Sequence, residues 1–257
     1  MIKLGLPILY EYDNLEDNFK LAKKLGLDFV EMNLNFGYCR KEMEEGKVKE
    51  LLEKYNLEAT LHFYDEADMG SYDEVVDAYL VLLNKYASLG HGYIKMMNFH
   101  NNPGPVVTIS GVKNYIYAKE YDEYLKRIIK NFKKAEAIVN KFDIKMVIEN
   151  VDGAKNADFL MENFIHLKDE GFKFTYDIGH DNMQNDSVLK LLEKTELKFD
   201  EFHFHDGNRK ACHLALGEGT INLKYFKDLA IKNDAYVLLE VKSSEDLIKS
   251  VPFFKAL

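Results

Sequence analysis

EFHFHDGNRKACHLALGEG, residues 201–219, is the stretch on which the fold turns. It opens as a strand. Successive side chains of an extended chain alternate between faces, so Phe202 and Phe204 share one face and His203 and His205 the other. Asp206-Gly207-Asn208 reads as a turn. Arg209, His213 and the tight Gly217-Glu218-Gly219 follow. One such histidine is as readily a satisfied surface group as a functional one. Context decides, because other strands of this chain also end on an acid or a histidine.

Outward from this stretch the same unit repeats. Short apolar runs sit at 3–9, 29–34, 59–63, 93–99, 145–149, 172–177 and 236–241. Helical spacing fills the gaps. Leu15, Phe19, Ala22 and Leu25 mark a helix stopped by Gly26. Val48, Leu51, Leu52 and Tyr55 mark another. Ser71 and Glu74 (SYDE) read as a capping box opening a helix to about Ala87. Further helices are expected at about 119–142, 159–167, 187–193 and 223–231, and from Ser244. Asn101–Ala118 is long for such a connection and holds Pro103, Gly104, Pro105 and Gly111, which predicts a functional loop or lid.

Eight strands alternating with eight helices must run parallel, because each return needs a crossover. The expectation is an α/β fold: a (βα)8 TIM barrel in one domain over 1–257, the length usual for that fold. A doubly wound open sheet would show a glycine-rich phosphate loop after its first strand. LPILYEYDN shows none.

Composition narrows the function classes. The net charge of −9 argues against a purely electrostatic grip on nucleic acid. Cys39 and Cys212 give no disulfide framework and suggest a reducing cytoplasm. MIKLGLPILYEYDN lacks a signal peptide's apolar core and cleavage site, and no apolar run approaches the ~18 residues of a membrane span. A soluble, cytoplasmic protein is expected. The helix faces reveal no oligomeric state. Phe253 and Phe254 are expected to cover the chain's own barrel.

In a βα barrel the chemistry stands at the C-terminal ends of the strands. Those ends carry His62, His100, Glu149, Asp177, His203 and Glu240, with His180 three residues after Asp177. Glu149 shares a face with Val147, Asp177 with Thr175 and Glu240 with Leu238, so the acids point into the barrel mouth. Three converging carboxylates repel. No lysine or arginine ends the fifth, sixth or eighth strand, so a metal ion is the economical counter-charge. Two Glu, one Asp and one His suit Mn2+, with Mg2+, Co2+ or Zn2+ as alternatives.

The set IEN (148–150), DIGH (177–180), HFHD (203–206), LGEG (216–219) and LEV (239–241) resembles the xylose isomerase-like barrel superfamily over nearly the whole chain. That superfamily holds sugar isomerases, sugar and inosose epimerases and dehydratases, and endonuclease IV. The resemblance makes His203, with Glu149, Asp177 and Glu240, the ligands of one divalent ion, and His205 a group behind it or facing substrate. In the ketose 3-epimerase branch, a metal-stabilised enediolate forms when a proton leaves the carbon beside a carbonyl. Glu149 and Glu240 would remove and return that proton. His180 and Arg209 would hydrogen-bond substrate oxygens, with His62, His100 and His205 also on the substrate side. The long loop would exclude water. The substrate is then a sugar, polyol or inosose. With no lysine cluster or glycine-rich cradle in the sequence, a free sugar is favoured over a sugar phosphate.

The resemblance also admits a zinc phosphodiesterase like endonuclease IV, or a dehydratase. In that reading His62, His100, His180 and His213 are additional metal ligands, with NFHNNPG (98–104) supporting it. One carboxylate is missing, since Ala211 stands where the endonucleases carry Asp. Arg40, Lys41 and Tyr38 in the loop at 35–43, and Tyr64 after the third strand, would have to meet DNA. Asp65, Glu66 and Asp68 would repel its phosphates.

Overall fold

The structure is a computed structural model that describes residues 2–151, 158–184, 186–192 and 194–257. The core strands are Leu4–Pro7, Phe29–Asn33, Glu58–His62, Ile94–His100, Lys145–Glu149, Phe174–Asp177, Glu201–Phe204 and Tyr236–Leu239, labelled β1 to β8 in that order. Each pairs in parallel with the next. β8 returns to β1, with Val237 opposite Leu4, and closes the barrel. Helices surround it, so the fold is the (βα)8 barrel. Among the described residues no helix is long and apolar enough to cross a membrane.

Local chemistry sets the helix ends. Asn14 caps Leu15–Leu25 by accepting from the Asp17 amide, and Gly26 ends it in the left-handed region that glycine adopts without steric cost. Ser243 caps Ser244–Ala256 in the same way through Asp246. The strand parity holds. Phe204 faces outward and meets Phe254 edge-on at 5.1 Å, so the C-terminal helix covers its own barrel. Phe253 is half-exposed beside Gly217.

Several connections differ from the sequence reading. Asp206-Gly207-Asn208 is not the turn. It is one strand of a hairpin with Ala211–Leu214, and the chain reverses at Arg209-Lys210. The reason is Asp206, whose carboxylate accepts from the amides of Gly207, Gly217 and Ile221 and pins this segment flat. The SYDE capping box does not form. Ser71 donates its amide to the Asp68 carbonyl, and the helix Asp73–Gly90 starts after Tyr72 with no side-chain cap. The loop at 101–118 is a hairpin, Val106–Ile109 with Val112–Tyr115, followed by a short helix Ile116–Lys119. The loop at 35–43 is largely helix, Gly37–Glu44, and Tyr38 bonds the Leu9 carbonyl instead of standing free. Of the helix expected at 187–193, Ser187–Leu192 is present and Glu193 lies outside the described residues.

Candidate metal centre and active site

The ends of β5 to β8 bring their acids together. Glu149 ends β5, Asp177 ends β6, His203 lies in β7 and Glu240 follows β8. All four are buried, and one ligand atom from each lies within 4.8 Å of the others. His203 sits at the centre. Its Nδ1 is 3.1 Å from Glu149 Oε1 and 3.4 Å from Glu240 Oε2. Neither His203 ring nitrogen, nor Glu240 Oε2, finds a hydrogen bond of good geometry, despite those short distances. Buried polar atoms without partners are costly. The donor set of three carboxylates and one imidazole therefore fits a divalent cation, which would use these atoms.

Charge in the cluster is finely opposed. Burial alone would push the Glu149 carboxyl up, but the His203 imidazole, then His62 and His100, hold it well below the usual carboxylate range. Burial likewise opposes ionisation of Glu240, and Lys242, His203 and His213 overcome it. Lys242 corrects the expectation that no cation ends the eighth strand. It lies two residues past Glu240, and its Nζ is 2.6 Å from Oε1. Lys242 therefore supplies positive charge to Glu240 and also acts on Asp177 and Glu149, whose strongest positive partners are histidines.

The remaining histidines form a collar. His62 Nε2 and His100 Nε2 approach Glu149 Oε2 at 3.4 and 3.6 Å. Burial would lower His62, but Glu149, Glu31 and Asp65 push it up to about 10. His180 is also pushed to about 10, by Asp177 against burial, and its Nδ1 stands 3.4 Å from Asp177 Oδ2. His205 accepts the His213 amide at Nδ1 (2.8 Å), so its proton is on Nε2, which lies 3.1 Å from both oxygens of Asp177. His205 thus orients Asp177 from behind. Burial pushes His213 down to about 4.

Arg209 is not brought to the cluster. Its guanidinium is half-exposed and is engaged by Asp186 and the Asn182 carbonyl.

Sequence reasoning passed over several neighbours. Asn98 donates to Glu149 Oε2. Asn150 clasps Asp177, accepting its amide at 2.9 Å and donating to its carbonyl at 2.8 Å, which locks the end of β5 to β6. Beneath the cluster, Glu31 Oε2 lies 3.8 Å from His203 Nε2. Glu201 is fully buried, and burial with the nearby Glu31 charge raises its carboxyl to about 8. The signal for Glu201 was available: it shares strand parity with His203 and His205.

Comparison with known proteins agrees with this architecture. A family model described as xylose isomerase-like TIM barrel matches residues 19–257. An uncharacterized protein of Methanocaldococcus jannaschii is 28% identical over 265 residues, covering 96% of this chain and 95% of that one. A crystal structure of a D-tagatose 3-epimerase-like protein matches with a TM-score of 0.74 at 20% identity, over 99% of this chain and 96% of that one. The 3-keto-D-glucoside 4-epimerase of E. coli matches with 0.76 at 14%, over the whole of both chains (100% and 100%). D-allulose 3-epimerase from Methylomonas sp. matches with 0.73 at 16%, over 99% and 97%.

Proposed function

Because this chain belongs to the xylose isomerase-like TIM barrel family, we propose that it is a divalent-metal-dependent epimerase or isomerase of a sugar, polyol or inosose. The observation that carries the reading is the pair Glu149 and Glu240, whose carboxylate oxygens converge on one His203 nitrogen at 3.1 and 3.4 Å. Glu149, Asp177, His203 and Glu240 would hold the ion. When bound, a divalent cation there supplies positive charge to the oxygen that turns negative as a proton leaves the neighbouring carbon.

The side chains do the proton work. Glu149 and Glu240 are kept ionised by their cationic neighbours and so can accept a proton. One carboxylate removes it from one face of the substrate and the other returns it. His205 and Asn150 fix Asp177, so the ligand set keeps its shape through the cycle. His62, His100 and His180 stand round the same mouth and would meet substrate hydroxyls. Mn2+ suits the oxygen-rich set best. Two of the structural neighbours are named for a ketoglycoside and a ketose, D-allulose, and a free sugar is the substrate class favoured here.

A second reading is supported by a separate observation. His62, His100 and Glu149 form another group with ligand atoms within 4.8 Å, and His180 and His213 belong to a further one with Cys212. A zinc phosphodiesterase resembling endonuclease IV would use such sites. Deuterium exchange decides. Incubated with Mn2+ and a panel of ketoses and inososes in D2O, the protein should place deuterium on the carbon beside the carbonyl. No exchange with any of them, together with cleavage of abasic-site DNA, would replace the first reading with the second.

A further inference from the structure

We propose that Glu31 is a positioning residue for the candidate metal centre: its carboxylate accepts the Nε2 proton of His203 and so leaves Nδ1 as the nitrogen that meets the ion. The role presupposes that Glu149, Asp177, His203 and Glu240 bind an ion, as proposed above.

The His203 ring lies between carboxylates on two sides. Its Nδ1 faces Glu149 Oε1 at 3.1 Å and Glu240 Oε2 at 3.4 Å, and its Nε2 faces Glu31 Oε2 at 3.8 Å. An imidazole ligates through a lone pair, so the nitrogen that binds gives up its proton and the other keeps one. An ion shared with Glu149 and Glu240 must sit on the Nδ1 side. The remaining proton is then on Nε2. Both His203 and Glu31 are buried, and an unpaired N–H is costly in such an interior. At 3.8 Å the contact is longer than a hydrogen bond, and a shift of about half an ångström in either side chain closes it. A carboxylate behind a ligating histidine fixes its tautomer and orientation and makes it a more basic ligand.

Glu31 is itself held in place. It lies in β2, three strands round the closed barrel from His203 in β7. Thr60, opposite it in register on β3, donates its hydroxyl to Glu31 Oε2 at 3.4 Å. Glu201 stands in the same layer, with ligand atoms of Glu31, Glu201 and His203 within 4.8 Å of one another. Thr175, its register partner on β6, donates to Glu201 Oε2 at 3.5 Å. Among the described residues, Glu31 is the carboxylate paired with His203 Nε2, and Glu201 is the competitor that a test must separate from it.

The test is NMR of the full-length protein with 15N-labelled histidine, loaded with Zn2+ as a diamagnetic ion, together with Zn2+ affinity by calorimetry. The wild type should show His203 ligated at Nδ1 and protonated at Nε2. Glu31→Leu should weaken Zn2+ binding by about 10–100-fold. Glu31→Gln keeps the shape and an acceptor oxygen without the charge, so the proton should stay on Nε2 and its resonance should move upfield as the hydrogen bond weakens. Glu201→Gln should leave the affinity and the tautomer as in the wild type. A merely structural Glu31 would lower the denaturation midpoint and move neither reading. If Glu31→Leu does not fold, the wild-type spectrum and Glu31→Gln still decide. A proton on Nδ1 in the wild type, an unmoved resonance in Glu31→Gln, Glu31→Leu that binds Zn2+ as tightly as the wild type, or a change of tautomer in Glu201→Gln overturns the role of Glu31 and leaves the ion-binding set standing. A wild type that takes up no Zn2+ overturns the ion-binding set, and the role of Glu31 falls with it.

Discussion

Lys242 Nζ lies 2.6 Å from Glu240 Oε1, while His203 Nδ1 stands 3.4 Å from the other carboxylate oxygen, Oε2. The ammonium therefore lowers the basicity of Glu240 while leaving its other oxygen for an ion. Lys242→Met keeps the side-chain length and removes the charge. Glu240 should then bind a proton more readily, because the ammonium that holds its carboxyl down is gone. If Glu240 is a proton acceptor in turnover, the acid limb of kcat/KM against pH moves to higher pH. An unmoved acid limb means that Lys242 does not govern the group titrating there.

Glu149→Gln removes a proton acceptor and a metal ligand in one step. Deuterium exchange should fall by about 10²–10⁴, the range for loss of a general base. Metal affinity, read by calorimetry, should fall as well. Exchange near the wild-type rate would remove Glu149 from the chemistry.

Gly179→Ala should damage the site without touching a charged group. A Cβ there would stand 1.9 Å from His205 Cε1, so His205 must leave Asp177 or the backbone must shift. Overpacking of this kind costs about 1–3 kcal/mol. A lower denaturation midpoint with weaker Mn2+ binding is expected. A variant equal to wild type in both would show that His205 has room to move.

Stability of chelator-treated protein should depend on pH through His62 and His180. Both are raised in the folded state from the ordinary 6.5 to about 10. The stabilisation they bring is complete below 6.5 and is lost as pH climbs through about 10. Urea midpoints should therefore fall between neutral pH and about 10, and His62→Gln should flatten that fall. An equally steep decline in the variant would place the effect elsewhere.

Glu201→Gln tests the acid beneath the cluster. The Glu201 carboxyl is raised to about 8, so at neutral pH the folded state holds a proton that the unfolded chain releases. That difference weakens the fold as pH rises above the ordinary glutamate value. Glutamine has the shape of the protonated acid and no such penalty. The variant should gain on the order of 3 kcal/mol at neutral pH. Lost stability would mean that ionised Glu201 is held by a partner.

The barrel was legible because each strand ends in a polar residue and each gap has helical spacing. The metal-ligand candidates were legible from parity: Glu149, Asp177 and Glu240 stand inward by alternation, and the structure places them there. One cation was hidden. Lys242 lies past the end of β8, where alternation no longer says which way a side chain reaches. Arg209 shows the opposite failure. Its spacing from His203 suggested a substrate contact, but no pattern of residue types pointed to Asp186 as the group that holds it.

The closed barrel also bears on solubility at high concentration. Every core strand has hydrogen-bonded neighbours on both sides, so the core offers no unpaired edge to another chain. Among the described residues, free edges are confined to the two outlying hairpins. The one at 106–115 carries exposed Val106, Val107, Ile109 and Val112, a β-prone and apolar combination. Strand-to-strand aggregation of the folded protein would begin there, and a lysine in place of Ile109 is the change that would guard against it.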